Sequence, residues 1–98
     1  MSVQIVIELR NEAGTQTIMH ALDAYKTRLK AGIERAKRQL AVFESRYGVH
    51  TDYFLKEMTA ENLKDGDLEY VEWAGEARLL DGLEAELWEL ENARYQLP

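Results

Sequence analysis

The residues able to do acid–base, nucleophilic or metal chemistry are few and badly spaced for it. Histidine occurs twice, at His20 and His50, and neither lies in a helical ligand spacing such as His-Glu-x-x-His. We read both as surface or loop residues. Cysteine is absent, which excludes thiolate nucleophiles, thiolate metal sites and disulfides. The serines, Ser2 and Ser45, are outside any nucleophile-elbow sequence. "DGDLE", residues 65–69, has the look of a calcium loop but lacks the acid–x–acid–x–acid–Gly spacing, and no glycine-rich phosphate loop occurs. Carboxylates remain. Paired acids can act as general acid and base, but only where burial drives their pKa values apart. Glu69, Glu72 and Glu76 share one face of an amphipathic helix, ordinarily a solvated face that supplies no such burial. The expectation is a non-catalytic protein with no cofactor and no metal, whose acidic face binds another molecule.

Length and composition set the frame for that face. A chain of 98 residues forms one domain, 1–98, with a modest core. With 46% apolar and 31% charged residues and one proline it reads as helical and folded. No run of eighteen apolar residues occurs, and the first ten residues lack a basic leader followed by an apolar stretch. The expectation is a soluble, cytoplasmic protein that makes no use of a membrane. Net charge is −6, but the halves differ. Residues 20–50 carry seven Lys/Arg against three Asp/Glu, whereas residues 51–98 carry four against thirteen.

The elements that must carry these charges follow from periodicity. Val3, Ile5, Ile7 and Leu9 alternate with polar residues over 1–10, which predicts a β-strand. No later segment has such alternation, so the strand is expected to pair between chains and to make a homo-oligomer. Thr15 or Thr17 can then cap a long helix, 16–47. Ile18, Leu22, Tyr25, Leu29, Ile33, Ala36, Leu40, Phe43 and Tyr47 recur there every three or four residues. Gly48 falls just beyond the last of them, where a left-handed residue ends helices, and Val49 can fold back onto Phe43. Thr51 is placed to cap a short helix, 52–59, whose Tyr53, Phe54 and Met58 suit a lid. Asp67 is placed to cap a second long helix, 68–96, with Trp73, Ala77, Leu80, Leu83, Leu87, Leu90 and Leu97 along one stripe. The predicted fold is mainly α: an antiparallel hairpin of two long helices with a short connecting helix and the N-terminal strand.

In such a hairpin the basic first helix faces the acidic second. Arg28, Arg35 and Arg46 fall on one side and could contact phosphates of operator DNA, but pairing with the acidic helix is the reading we prefer. The acids after residue 50 outnumber local cations, so a negative surface should remain. Tyr70, Trp88 and Tyr95 plot close to one line beside the leucine stripe. Aromatic anchors rimmed by charge are the composition of protein interfaces. We therefore take Glu69, Tyr70, Glu72, Glu76, Trp88 and Tyr95 as candidate partner-binding residues, and Val3, Ile5, Ile7 and Leu9 as oligomerisation residues.

Three short stretches add a resemblance. "FESRYG", "DYFLKEM" and "DGDLEYVEW", between residues 43 and 76, resemble a group of small prokaryotic helical proteins with a Phe-Glu-x-Lys-Tyr-Gly helix ending and a later Asp-x-x-x-x-Glu-Trp segment. That group is similar to the antitoxins encoded beside TumE-type toxins. Arg46 stands where the pattern has Lys, and Val49 where Met is common; both keep the chemistry. The resemblance implies an antitoxin that neutralises a small toxin acting on RNA, and it assigns no binding residues. The alternative is a self-assembling coiled-coil module without a toxin partner.

Overall fold

The computed structural model describes residues 1–95. Its elements are α1 (Glu12–Tyr47), α2 (Thr51–Glu57), a 3-10 turn (Ala60–Asn62) and α3 (Gly66–Glu91). The long helices α1 and α3 pack as a hairpin, and the chain measures 59 × 28 × 19 Å. Tyr25 meets Glu86, Gly32 meets Leu83 and Arg46 meets Glu69, so the helices run antiparallel. At Gly32 the approach is close: a Cβ there would lie 3.1 Å from Leu83 Cδ1.

Local chemistry sets the helix ends. Asn11 is extended (φ −165°, ψ −178°) and its Oδ1 accepts the Ala13 N–H at 2.9 Å, so α1 starts four residues before the predicted boundary. Thr17 is already inside the helix, its hydroxyl donating to the Ala13 carbonyl at 3.0 Å. Gly48 ends α1 in the left-handed region (φ 65°, ψ 30°) with its N–H on the Glu44 carbonyl at 2.8 Å, as expected. Val49 is half-buried against the cluster that contains Phe43.

The second helix is capped differently from the expectation. His50 holds the cap position without a side-chain bond, and Thr51 lies in the first turn. Glu44, in the last turns of α1, reaches over instead: its Oε2 accepts from Thr51 N at 2.8 Å and Thr51 Oγ1 at 2.9 Å. A carboxylate thereby satisfies donors at the positive end of α2. Between the helices, Asn62 Oδ1 accepts the Thr59 N–H at 2.8 Å and closes the 3-10 turn. The cap of α3 is Asp65 rather than Asp67, because Gly66 turns the chain at φ 59° and puts Asp67 in the first turn. The helix closes at Asn92, short of the expected end; Gln96 and Leu97, assigned to it from sequence, lie outside the described residues.

The N-terminal strand is not found. Among the described residues there is no strand, and residues 1–9 take no regular structure. Val3 and Ile5 are 90% and 86% exposed, whereas Leu9 lies against the first turn of α1 beside Gly14. A strand needs a neighbour to receive its backbone bonds, and among the described residues this segment has none. Also among the described residues, no helix is long and apolar enough to cross a membrane.

The core sits at the closed end of the hairpin. Trp73 is fully buried, stacked on Phe54 (3.9 Å between ring centroids, 2° between planes) and on Phe43 (5.3 Å, 10°), with Tyr47 at 5.7 Å. Its Nε1 donates to Thr51 Oγ1 at 3.0 Å. Leu40, Leu63 and Ala77 complete the buried cluster, and Met58 packs against it. The lid role expected of Phe54 and Met58 is thus filled, while Tyr53 faces solvent.

Candidate partner-binding surface

The six residues proposed from sequence as a binding surface fall into two groups. Glu69 is 2% exposed. Its Oε1 accepts from the Tyr47 hydroxyl and from Asp65 N at 3.3 Å, and its Oε2 accepts from Arg46 Nη1 in an ion pair. The Tyr47 hydroxyl in turn accepts the Lys64 N–H at 2.9 Å. The Tyr47 hydroxyl, with the Asp65 amide and the Arg46 guanidinium, outweighs burial and holds the Glu69 carboxyl below its ordinary pKa. Burial and the Glu69 bond raise the Tyr47 phenol, and Glu69 raises the Arg46 guanidinium. Glu69 therefore ties α3 to the end of α1 and is not offered to a partner.

Tyr70 is half-buried, its ring 5.0 Å from that of Phe54 and tilted by 55°. It belongs to the core end. Glu72 is exposed. Glu76 is half-buried, with Oε2 sealed from solvent and without a hydrogen-bond partner among the described residues. Trp88 lies at the opposite end of α3, eighteen residues or about 27 Å from Tyr70 at 1.5 Å per residue. The predicted aromatic line is thus divided: α2 covers one end of the hairpin only, so Tyr70 is enclosed and Trp88 is not.

Trp88 is 60% exposed and borders an open groove of about 410 Å³ between α1 and α3. Lys30 and Lys37 line it from α1, Glu84 and Glu91 from α3, with Ile33 and Leu87 beneath. Tyr95, just beyond the helix, donates its hydroxyl to the Leu90 carbonyl at 3.2 Å, and Lys26 Nζ sits 5.3 Å from its ring centre. The indole is therefore an exposed apolar anchor within a rim of both charge signs.

Charge around this groove is lopsided. Helix α3 carries nine Asp/Glu and one cation, Arg78, whereas α1 carries seven Lys/Arg and four Asp/Glu. Among the described residues only Arg46 and Glu69 form an ion pair, so the expected pairing of the two helices is realised at one point. Glu86 instead accepts from the Tyr25 hydroxyl, and that bond raises the Tyr25 pKa. Seven acids of α3 are exposed: Asp67, Glu72, Asp81, Glu84, Glu86, Glu89 and Glu91.

Sequence reasoning missed a second stripe on α3. Leu68, Val71, Gly75, Leu79 and Gly82 recur at spacings of three and four, and the three large residues are exposed. The spacing alone was the available signal. Among the described residues no three acid or histidine side chains gather as metal ligands. Compared with protein-family models, curated proteins and solved structures, the chain matches none.

Proposed function

We propose that this chain is a non-catalytic antitoxin, a hairpin that binds and neutralises a small basic protein toxin acting on RNA in the cytoplasm. The observation that carries the reading is Trp88, an indole held 60% in solvent between Glu84 and Glu91. An indole leaves water readily, and buried Trp anchors dominate the energy of protein interfaces. The exposed acids along α3, Glu84 and Glu91 beside the indole among them, offer a basic protein the charge of its nucleic-acid substrate, which speeds encounter and selects for that class of partner. The resemblance of residues 43–76 supplies the partner type. In this reading the contacts are Glu72, Trp88 and Tyr95 together with Glu84 and Glu91, because Glu69 and Tyr70 are engaged within the chain.

The arm of residues 1–9 extends the same reading. It presents a backbone unpaired among the described residues, with exposed Val3, Ile5 and Ile7, and can add a strand to a sheet edge of the toxin, or of a second copy. Co-expression with the product of the adjacent gene tests the reading: a complex that survives purification is expected. If both proteins are soluble and fail to associate, the antitoxin reading is wrong. Self-assembly is the second reading, favoured by the outer stripe of α3.

A further inference from the structure

One side of the hairpin carries apolar surface that none of the described residues covers. Leu68 and Val71 are each 66% exposed and Leu79 is 39% exposed. Gly75, between Val71 and Leu79, and Gly82, just beyond Leu79, lie on the same side, and a Cβ built on either meets nothing within 4 Å among the described residues. Gly32 differs, since Leu83 packs on it. The two glycines of α3 weaken the helix relative to alanine without serving any packing among the described residues. They leave an open groove of about 400 Å³ lined by Gly75, Arg78, Leu79, Gly82, Leu83 and Glu86. A bare helix surface of this kind admits another helix at short interaxial distance.

The surroundings of the groove say what that helix is. The Tyr25 hydroxyl donates to Glu86, and Arg28 lies over the Tyr25 ring at 5.6 Å, so α1 shows Arg28 on the groove side. Arg35, two turns further on, is exposed on the same side. One face thus holds an apolar helix flanked by Glu72 and Glu86, with Arg78 as its one cation, next to a basic helix with Arg28 and Arg35. Such a face is complementary to itself when a second copy is turned over, because each α3 then meets the other copy's α1. Size agrees as well. Helix α3 runs about 39 Å, and two helices side by side span about 20 Å, so roughly 800 Å² per copy is available, the area of an ordinary stable interface.

We propose that two copies of this chain associate through this face as an antiparallel four-helix bundle, with α3 of each copy against the basic side of α1 of the other. The interface is separate from the Trp88 groove and from the arm, and it does not depend on the toxin reading. Sedimentation of the full chain at about 100 μM tests it, alongside a variant lacking residues 1–9, the double variant L68E/L79E and the double variant R28E/R35E. A dimer is expected for the full chain and for the arm-less variant. L68E/L79E, which changes exposed positions only, should be monomeric with unaltered helical circular dichroism. R28E/R35E should weaken dimerisation at least tenfold at low salt. Three results would each overturn the proposal: a monomeric full chain, a dimer that disappears with the arm, or a dimer indifferent to L68E/L79E.

Discussion

Glu69 is the residue at which internal and surface roles make opposite predictions. Glu69→Gln keeps size and one acceptor oxygen. That oxygen can still receive the Tyr47 hydroxyl and Asp65 N–H, but the new amide presents N–H groups to the Arg46 guanidinium, a donor facing donors. A hydrogen bond to a charged group contributes roughly 1.5–3 kcal/mol, and Arg46, 42% exposed, recovers part of the loss by turning to water. We therefore expect E69Q to cost about 2 kcal/mol at neutral pH. At about 4–8 °C per kcal/mol for a domain of this size, melting should fall by roughly 8–16 °C. Urea denaturation followed by tryptophan fluorescence reads it, since Trp73 changes environment on unfolding. The pH dependence has a definite sign. Glu69 binds its proton less readily folded than unfolded, so its stabilisation is complete above the ordinary carboxylate range and is lost as pH falls through that range to the folded pKa. The gap between wild type and E69Q should narrow in acid. A gap under about 0.5 kcal/mol at pH 7, the size usual for surface substitutions, would refute the internal role; so would a gap unaffected by pH.

Other substitutions probe the closed end. Thr51→Val leaves the Trp73 N–H and Glu44 Oε2 without their shared hydroxyl and should cost roughly 1–3 kcal/mol by denaturant titration, whereas Thr51→Ser should be nearly neutral. Trp73→Ala removes the centre of the aromatic stack and should cost about 3–5 kcal/mol, enough to leave the isolated chain largely unfolded in a thermal scan. Gly48→Ala meets no neighbour but must hold φ near 65°, so a loss of about 1 kcal/mol is expected; an unchanged urea midpoint would contradict that.

What could be read from the sequence was what periodicity determines. The stripe from Leu29 to Phe43 is buried as its spacing required, Trp73 lies in the core, and Gly48 ends the long helix. Failures arose where the deciding partner is distant along the chain. Glu69 and Glu72 differ by one turn's fraction on the same acidic helix, yet Glu69 is buried because Tyr47 and Arg46 arrive from α1. Tyr70 and Trp88 plot on one line, but α2 closes over a single end. Asn11 won over Thr15 and Thr17, and Asp65 over Asp67, because several capping residues stood within two turns and the course of the flanking chain chose among them. Alternation at Val3, Ile5 and Ile7 was legible as local pattern, whereas a strand exists only with a partner.

The reading of this chain as an antitoxin is tested most directly in cells carrying the adjacent gene under an inducible promoter. Induction alone should arrest growth, and co-expression of this chain should restore it. Trp88→Ala should restore growth less well, with the purified complex dissociating roughly thirtyfold faster, as loss of about 2 kcal/mol at an interface anchor implies. A harmless neighbour, or a toxic one that this chain leaves fully active, would contradict the reading.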